Sequence, residues 1–144
     1  MHISQMFYKK DFLASFEIFP PKNDFNISSA IPVMDELSKL EPDFISVTCG
    51  AGGTMQSDNT IDLCTYLKSN LNIEPVAHMT CLTLTKEQVK QRLELLKARN
   101  IKNVLALRGD RPLESQPAND YTYAKELIGE VYSEGFCVAG ACYP

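Results

Sequence analysis

A glutamate set inside an apolar run is the first residue in this sequence that suggests chemistry. Glu17 stands between Phe16 and Ile18 in FLASFEIF, residues 12–19. Glutamate is almost never fully buried without a partner. Its apolar neighbours would strip water from it, which suits a general acid working near neutral pH. A second candidate lies in KNVLALRGDRP, residues 102–112, where the apolar run Val104 to Leu107 meets Arg108, Gly109 and Asp110 with no polar spacer. Charges at the end of a buried strand need pairing. An Arg–Asp pair closing a turn is the plain reading, and a site is the other. Three further polar residues, Thr48, His78 and Tyr143, also lie at or near the ends of apolar runs. Singly they are unremarkable: a good strand residue, a satisfied core histidine and a rim aromatic.

The elements that must position these residues alternate along the chain. Strands are expected at Phe12–Phe19, Asp43–Cys49, Ile73–Cys81, Asn103–Leu107 and Phe136–Tyr143. Between them the spacing predicts helices at Asn26–Leu40, Ser57–Asn70, Thr85–Asn100 and Asp120–Glu134. The first would be capped by Ser28 or Ser29, with Pro32 in its first turn and Ile31, Met34, Leu37 and Leu40 as its apolar stripe. In the second, Ile61, Cys64, Leu67 and Leu71 face inward. Thr85 and Gln88 fit a capping box at the start of the third, where Val89, Leu93 and Leu96 face inward. Gly135 fits the stop of the fourth. Such β-α alternation in a chain of 144 residues predicts a single α/β domain over residues 1–144, with parallel strands and helices outside them.

Strand parity then sorts the polar groups. Side chains alternate between the two faces, and one parity collects Ser15 and Glu17, Ser46 and Thr48, His78 and Thr80, Val104 and Ala106 with Arg108 and Asp110, and Ala141 and Tyr143. In a (β/α)8 barrel such a face lines the interior, and chemistry sits at the carboxyl ends of the strands. In a doubly wound open sheet both faces meet helices, and inward polarity would have no cavity to line. The barrel is therefore expected, with five strands and four helices of an eight-stranded barrel present.

Composition excludes several classes. A net charge of -4 argues against nucleic acid or an anionic membrane as the main partner. No apolar run approaches the ~20 residues of a membrane span, and MHISQMFYKKD lacks the apolar core of a signal peptide. Cys49, Cys64, Cys81, Cys137 and Cys142 are odd in number, without a CxxC, which suits reduced thiols in a cytoplasmic protein. With only His2 and His78 as histidines, no metal site is expected. Gly50 and Gly52 open a GxGxxG pattern that fails at Met55, though the loop would let a ligand approach the backbone.

The stretches SFEIFPPK, FISVTCGAGGT, VAHMTC, VLALRGD and AGACYP occur at the five strand ends. Jointly they resemble the methylenetetrahydrofolate reductase family, flavin-dependent (β/α)8-barrel enzymes of one-carbon metabolism. The resemblance implies FAD, NADH or NADPH, and reduction of 5,10-methylenetetrahydrofolate to 5-methyltetrahydrofolate. It implies that Glu17 is the general acid and Asp110 the aspartate near flavin and pterin. It implies FAD contacts at Thr48, Ala51, His78, Arg108, Gly109, Asp110, Tyr123, Ala124, Ala141 and Tyr143. Cys49 departs from the family, standing where some members have tyrosine. The family's barrel has eight strands and nearly twice this length. A homo-oligomer is expected.

Two other readings remain. A half-barrel could be non-catalytic, binding itself or a partner chain. An aldolase on a similar barrel would want a buried lysine at a strand end, but each lysine falls in a helix, a loop or a strand's amino end.

Overall fold

The structure, a computed structural model, describes residues 1–21, 27–49, 58–110, 118 and 120–142. Its strands are β1 (Ser15–Ile18), β2 (Phe44–Val47), β3 (Glu74–Thr80), β4 (Asn103–Leu107) and β5 (Cys137–Gly140). Its helices are α1 (Ile31–Ser38), α2 (Asp58–Ser69), α3 (Lys86–Ala98) and α4 (Ala124–Ser133). The strands form one parallel sheet in the order β1-β2-β3-β4-β5. Among the described residues the order never reverses, so they contain no switch point of the doubly wound kind. Right-handed crossovers, the rule for parallel neighbours, would put every helix on the same side.

Burial shows which side that is. Ile45, Val47, Ala77, Met79, Val104 and Ala106 are at most 3% exposed. They join Met34 of α1, Leu63, Cys64 and Leu67 of α2, Val89, Leu93 and Leu96 of α3, and Leu127 and Val131 of α4 in one core. The other face carries no helix among the described residues. There Ser15 and Glu17 are exposed, and Ser46, Thr80, Leu105, Leu107, Cys137 and Ala139 are half-buried. β1 and β5 each pair on one side only among the described residues, so the sheet is an open part of a barrel-type arrangement.

The helix ends show where local signals held. Thr85 Oγ1 accepts from the Gln88 N–H at 3.2 Å, and Gln88 Oε1 accepts from the Thr85 N–H at 2.8 Å, completing the expected capping box. Gly135 has φ +85°, the left-handed stop expected after α4. α1 is shorter than expected. It is preceded by Ala30 with no side-chain cap, and Leu40 lies beyond its end at 64% exposure, so Leu40 is not part of the stripe. α2 buries Leu63, which the expected stripe omitted.

At the amino ends of the strands, Asn103 is fully buried and ties the N-terminal segment to the sheet. Its Oδ1 accepts from the Ile3 N–H at 2.8 Å, while Nδ2 donates to the carbonyls of Met1 at 3.1 Å and Pro75 at 3.2 Å. Three bonds from one amide tie the N-terminal segment to the amino ends of β3 and β4.

Candidate active site at the carboxyl ends of the strands

Parallel register keeps paired residues on one face. Glu17 pairs with Ser46, Ser46 with Val76, Leu105 with His78, and Ala139 with Leu105. Glu17, Ser46, His78, Leu105 and Ala139 therefore share the helix-free face. Thr48 continues the parity of Ser46 one step past β2.

One strand departs from expectation. On β4 the inward residues are Asn103, Leu105 and Leu107, while Val104 and Ala106, both fully buried, face the helices. The assignment of Val104 and Ala106 to the face of Arg108 and Asp110 is thus corrected. β4 ends at Leu107, and Gly109 adopts φ +83°, so alternation cannot be extended through Arg108 to Asp110. Those two side chains are exposed on the turn beyond the strand. Nor do they close a turn as a pair: the Arg108 Nε–H donates to the Gly109 carbonyl at 3.2 Å.

Glu17 and His78 meet across two strand spacings. Glu17 Oε2 is 3.5 Å from His78 Nε2 and 3.4 Å from Ser46 Oγ. The Glu17 side chain is 50% exposed, so the expected stripping of its water is not achieved by these residues. The burial belongs to His78 instead, whose side chain is 7% exposed. Burial pushes the imidazole below its ordinary value, and the nearby Glu17 carboxylate opposes this only in part. The ring is therefore neutral at pH 7, and the contact is a carboxylate beside a neutral imidazole. Among the described residues His78 Nε2 is buried with no hydrogen-bond partner, and a buried polar atom left unpaired is costly. It points to something polar that this face receives.

The remaining positions form the rim. Thr48 is buried, its N–H donating to the Ile18 carbonyl and its carbonyl accepting from Thr60 Oγ1, both at 3.0 Å. Those bonds fix the end of β2 between β1 and the start of α2. Gly109 is held down over β3: a Cβ there would lie 2.9 Å from Thr80 Cβ. The positive φ and this close approach both demand glycine. The Arg108 carbonyl accepts from the Leu82 N–H at 2.9 Å, anchoring the same turn.

Tyr123 precedes α4 and is 64% exposed. Its N–H and that of Thr122 donate to Glu126 Oε2 at 3.1 and 2.6 Å, and these bonds hold the Glu126 carboxyl below the usual range. Ala124 is half-buried and Ala141 exposed. Ala51 and Tyr143 lie outside the described residues, as does the glycine loop after Cys49. The Cys49 thiol is pushed up by burial, against a hydrogen bond with Thr80. Among the described residues no three His, Cys, Asp or Glu side chains are grouped to hold a metal, and no helix is long and apolar enough to cross a membrane. All five cysteines are free thiols.

Sequence reasoning did not single out Ser46 as a functional residue, although it shares the parity of Glu17. The available signal was register, since equal distances from the two strand starts place Ser46 opposite Glu17. Thr80, beneath Gly109, had no such signal, because the turn that brings them together follows the strand.

Comparison with known proteins accords with this geometry. The family model for methylenetetrahydrofolate reductase matches residues 2–144. An Arabidopsis thaliana protein named methylenetetrahydrofolate reductase (NADH) 1 is 32% identical over 137 residues, covering 90% of this chain and 23% of that relative. Methylenetetrahydrofolate reductase 2 of Schizosaccharomyces pombe is 36% identical over 140 residues, covering 90% and 21%. The 5,10-methylenetetrahydrofolate reductase of Pectobacterium carotovorum is 32% identical over 131 residues, covering 90% and 43%. The chain thus spans between 21% and 43% of the length of these relatives.

Proposed function

The chain belongs to the methylenetetrahydrofolate reductase family, and from that premise we propose that it supplies the N-terminal half of the site that reduces 5,10-methylenetetrahydrofolate to 5-methyltetrahydrofolate. The reductant is NADH or NADPH. The observation that carries this reading is the convergence of Glu17 and His78 on the helix-free face, at the carboxyl ends of parallel strands. In barrel enzymes that is the end where substrates are handled.

The residues present suit FAD, which when bound would carry the hydride between nicotinamide and folate. The unpartnered Nε2 of His78 offers a polar contact at the middle of the row. Leu105, Leu107 and Ala139 give a flat apolar surface beside it, and exposed Arg108 offers charge for phosphate. Thr48, Ala51, His78, Arg108, Gly109, Asp110, Tyr123, Ala124, Ala141 and Tyr143 are the residues we assign to cofactor contact. The close seat of Gly109 on Thr80 would leave room over the strand end. Since the Tyr123 N–H is committed to Glu126, its exposed ring is the part free to meet a ligand.

Glu17 is the acid that protonates the folate as its methylene bridge opens. Being half exposed among these residues, it gains its dry environment only when substrate and the rest of the site cover it. Asp110 is assigned to the pterin, where a carboxylate can accept from a ring N–H and an exocyclic amine together. The free thiols fit a cytoplasmic setting.

The test is Glu17→Gln in the protein that carries this chain, with the two half-reactions followed separately. Flavin reduction by the nicotinamide cofactor should persist, while folate reduction should slow by at least ~10²-fold, the scale of a lost general acid. Equal loss in both would make Glu17 structural. The open edges of β1 and β5 favour a second reading, a non-catalytic half-barrel that associates with itself or a partner. A purified protein that takes up no flavin and turns over no folate would select it.

A further inference from the structure

Ser46 has no part in the reading above, yet it is the register partner of Glu17 across β1 and β2. Its hydroxyl lies 3.4 Å from Glu17 Oε2 and 3.5 Å from the Phe16 carbonyl oxygen. A hydroxyl has one proton to donate, so it serves one of these acceptors at a time. Both separations exceed the ~2.7–2.8 Å of a settled O–H···O bond, so neither acceptor has captured it. An ionised carboxylate is the stronger acceptor of the two. Once protonated, the carboxyl group loses that advantage and the carbonyl competes. On the same oxygen His78 Nε2 converges from β3 at 3.5 Å. Glu17 Oε1 has no partner among the described residues. Catalytic hydrogen bonds are often loose before substrate binds and tighten afterwards, so long contacts here are compatible with a working site.

We propose that Ser46 is a positioning residue for Glu17: beside the His78 imidazole it holds the carboxyl group by Oε2, and its hydroxyl swings to the Phe16 carbonyl when Glu17 carries a proton. Oε1 then presents that proton to the substrate nitrogen, and half-exposed Glu17 recovers one from solvent after turnover. The proposal rests on the reading of Glu17 as the folate acid. It goes beyond that reading by naming what orients the acid.

Two readouts in the protein that carries this chain test it. The first is the titration of His78, followed by NMR of histidine-labelled protein. Among the described residues, Glu17 on β1 is the one charged group whose field on His78 is appreciable. Ser46→Ala frees Oε2 to turn wholly toward the imidazole and should move the His78 midpoint up, whereas Glu17→Gln should move it down. The second is the kinetic split. Ser46→Ala should lower kcat of the folate half-reaction about tenfold with KM and flavin reduction little changed, and Ser46→Thr should restore most of it. An unmoved His78 midpoint with wild-type folate kinetics in Ser46→Ala overturns the proposal. So does equal damage from Ser46→Ala and Ser46→Thr, because a hydroxyl is retained in the second. If Glu17→Gln leaves folate reduction intact, the acid assignment itself falls and the proposal with it. That result is told apart from failure of Ser46 alone by the Glu17 variant.

Discussion

The two faces of this one sheet are built from alternate residues of the same five strands, yet they are finished to different degrees. On the helix side Ile45, Val47 and Val104 are fully buried by the chain's own helices. On the other side Glu17 is half exposed and Leu105 and Leu107 are half-buried, while His78 keeps a buried nitrogen without a partner. Burial on the first face is nearly complete at β2, β3 and β4, with Phe16 of β1 and Val138 of β5 partly buried against the same core. On the second, burial reaches Val76 and His78 of β3 and, at the amino end, Asn103 of β4, while the other side chains of its strands are half-buried or exposed. The difference separates the face that folds the molecule from the face to which we assign the ligand.

The sharpest way to break this comparison is to make residues 1–144 alone. If the helix-free face and the edges of β1 and β5 need covering, the isolated polypeptide should not persist as an FAD-holding monomer. Sedimentation with detection at flavin wavelengths should show self-association, pairing or aggregation. A compact, yellow, cooperatively melting monomer would show that the second face is as finished as the first.

Matched truncations come next. Ile45→Ala removes a fully buried side chain from the helix face and should cost ~2–5 kcal/mol. Leu105→Ala, on the opposite face and only half-buried, should cost less than half of that in the same urea titration. Equal losses in the protein that carries this chain would mean the second face is packed there to core density. Gly109→Ala should fall between or below these values. The left-handed φ of +83° alone costs a side chain ~1–2 kcal/mol, and the added methyl must displace Thr80. Thr80→Ala should relieve part of that loss, and a double-mutant cycle reads the coupling.

How much of this was legible in the sequence follows the same division. Parity alone placed Glu17 and His78 on one face, because β1, β2 and β3 present their faces without interruption between them. Thr85 and Gln88 announced the start of α3, since a capping box is a local contact. The failure at β4 came from extending a strand's alternation past Leu107 into a turn that Gly109 reverses. There the geometry is set by Thr80 below the turn, a neighbour distant in sequence. Likewise the exposure of Glu17 could not be read from Phe16 and Ile18. Neighbours in a strand point to the opposite face and cover nothing on this one.

The finest discrimination between the faces is a pH dependence carried by His78. Burial depresses its affinity for a proton in the folded state, so between the folded value and the ~6.5 of an unfolded histidine the unfolded chain binds more protons. Its contribution is therefore fully present above ~6.5 and is lost as pH falls through the folded value. A urea midpoint followed from about pH 7.5 down to about 5.5 should fall, and His78→Gln should flatten that fall. Glu17 supplies the opposing effect, stabilising the charged ring. Glu17→Gln should therefore steepen the loss where His78→Gln flattens it, a pair of opposite signs that general acid weakening cannot produce. If ligand or further strands dry the helix-free face, His78 is desolvated more and the depression deepens. Adding the cofactor should then extend the sloping window toward lower pH. A window that stays fixed when the cofactor binds would mean His78 is already as covered as it will become, and the contrast between the two faces would end at β3.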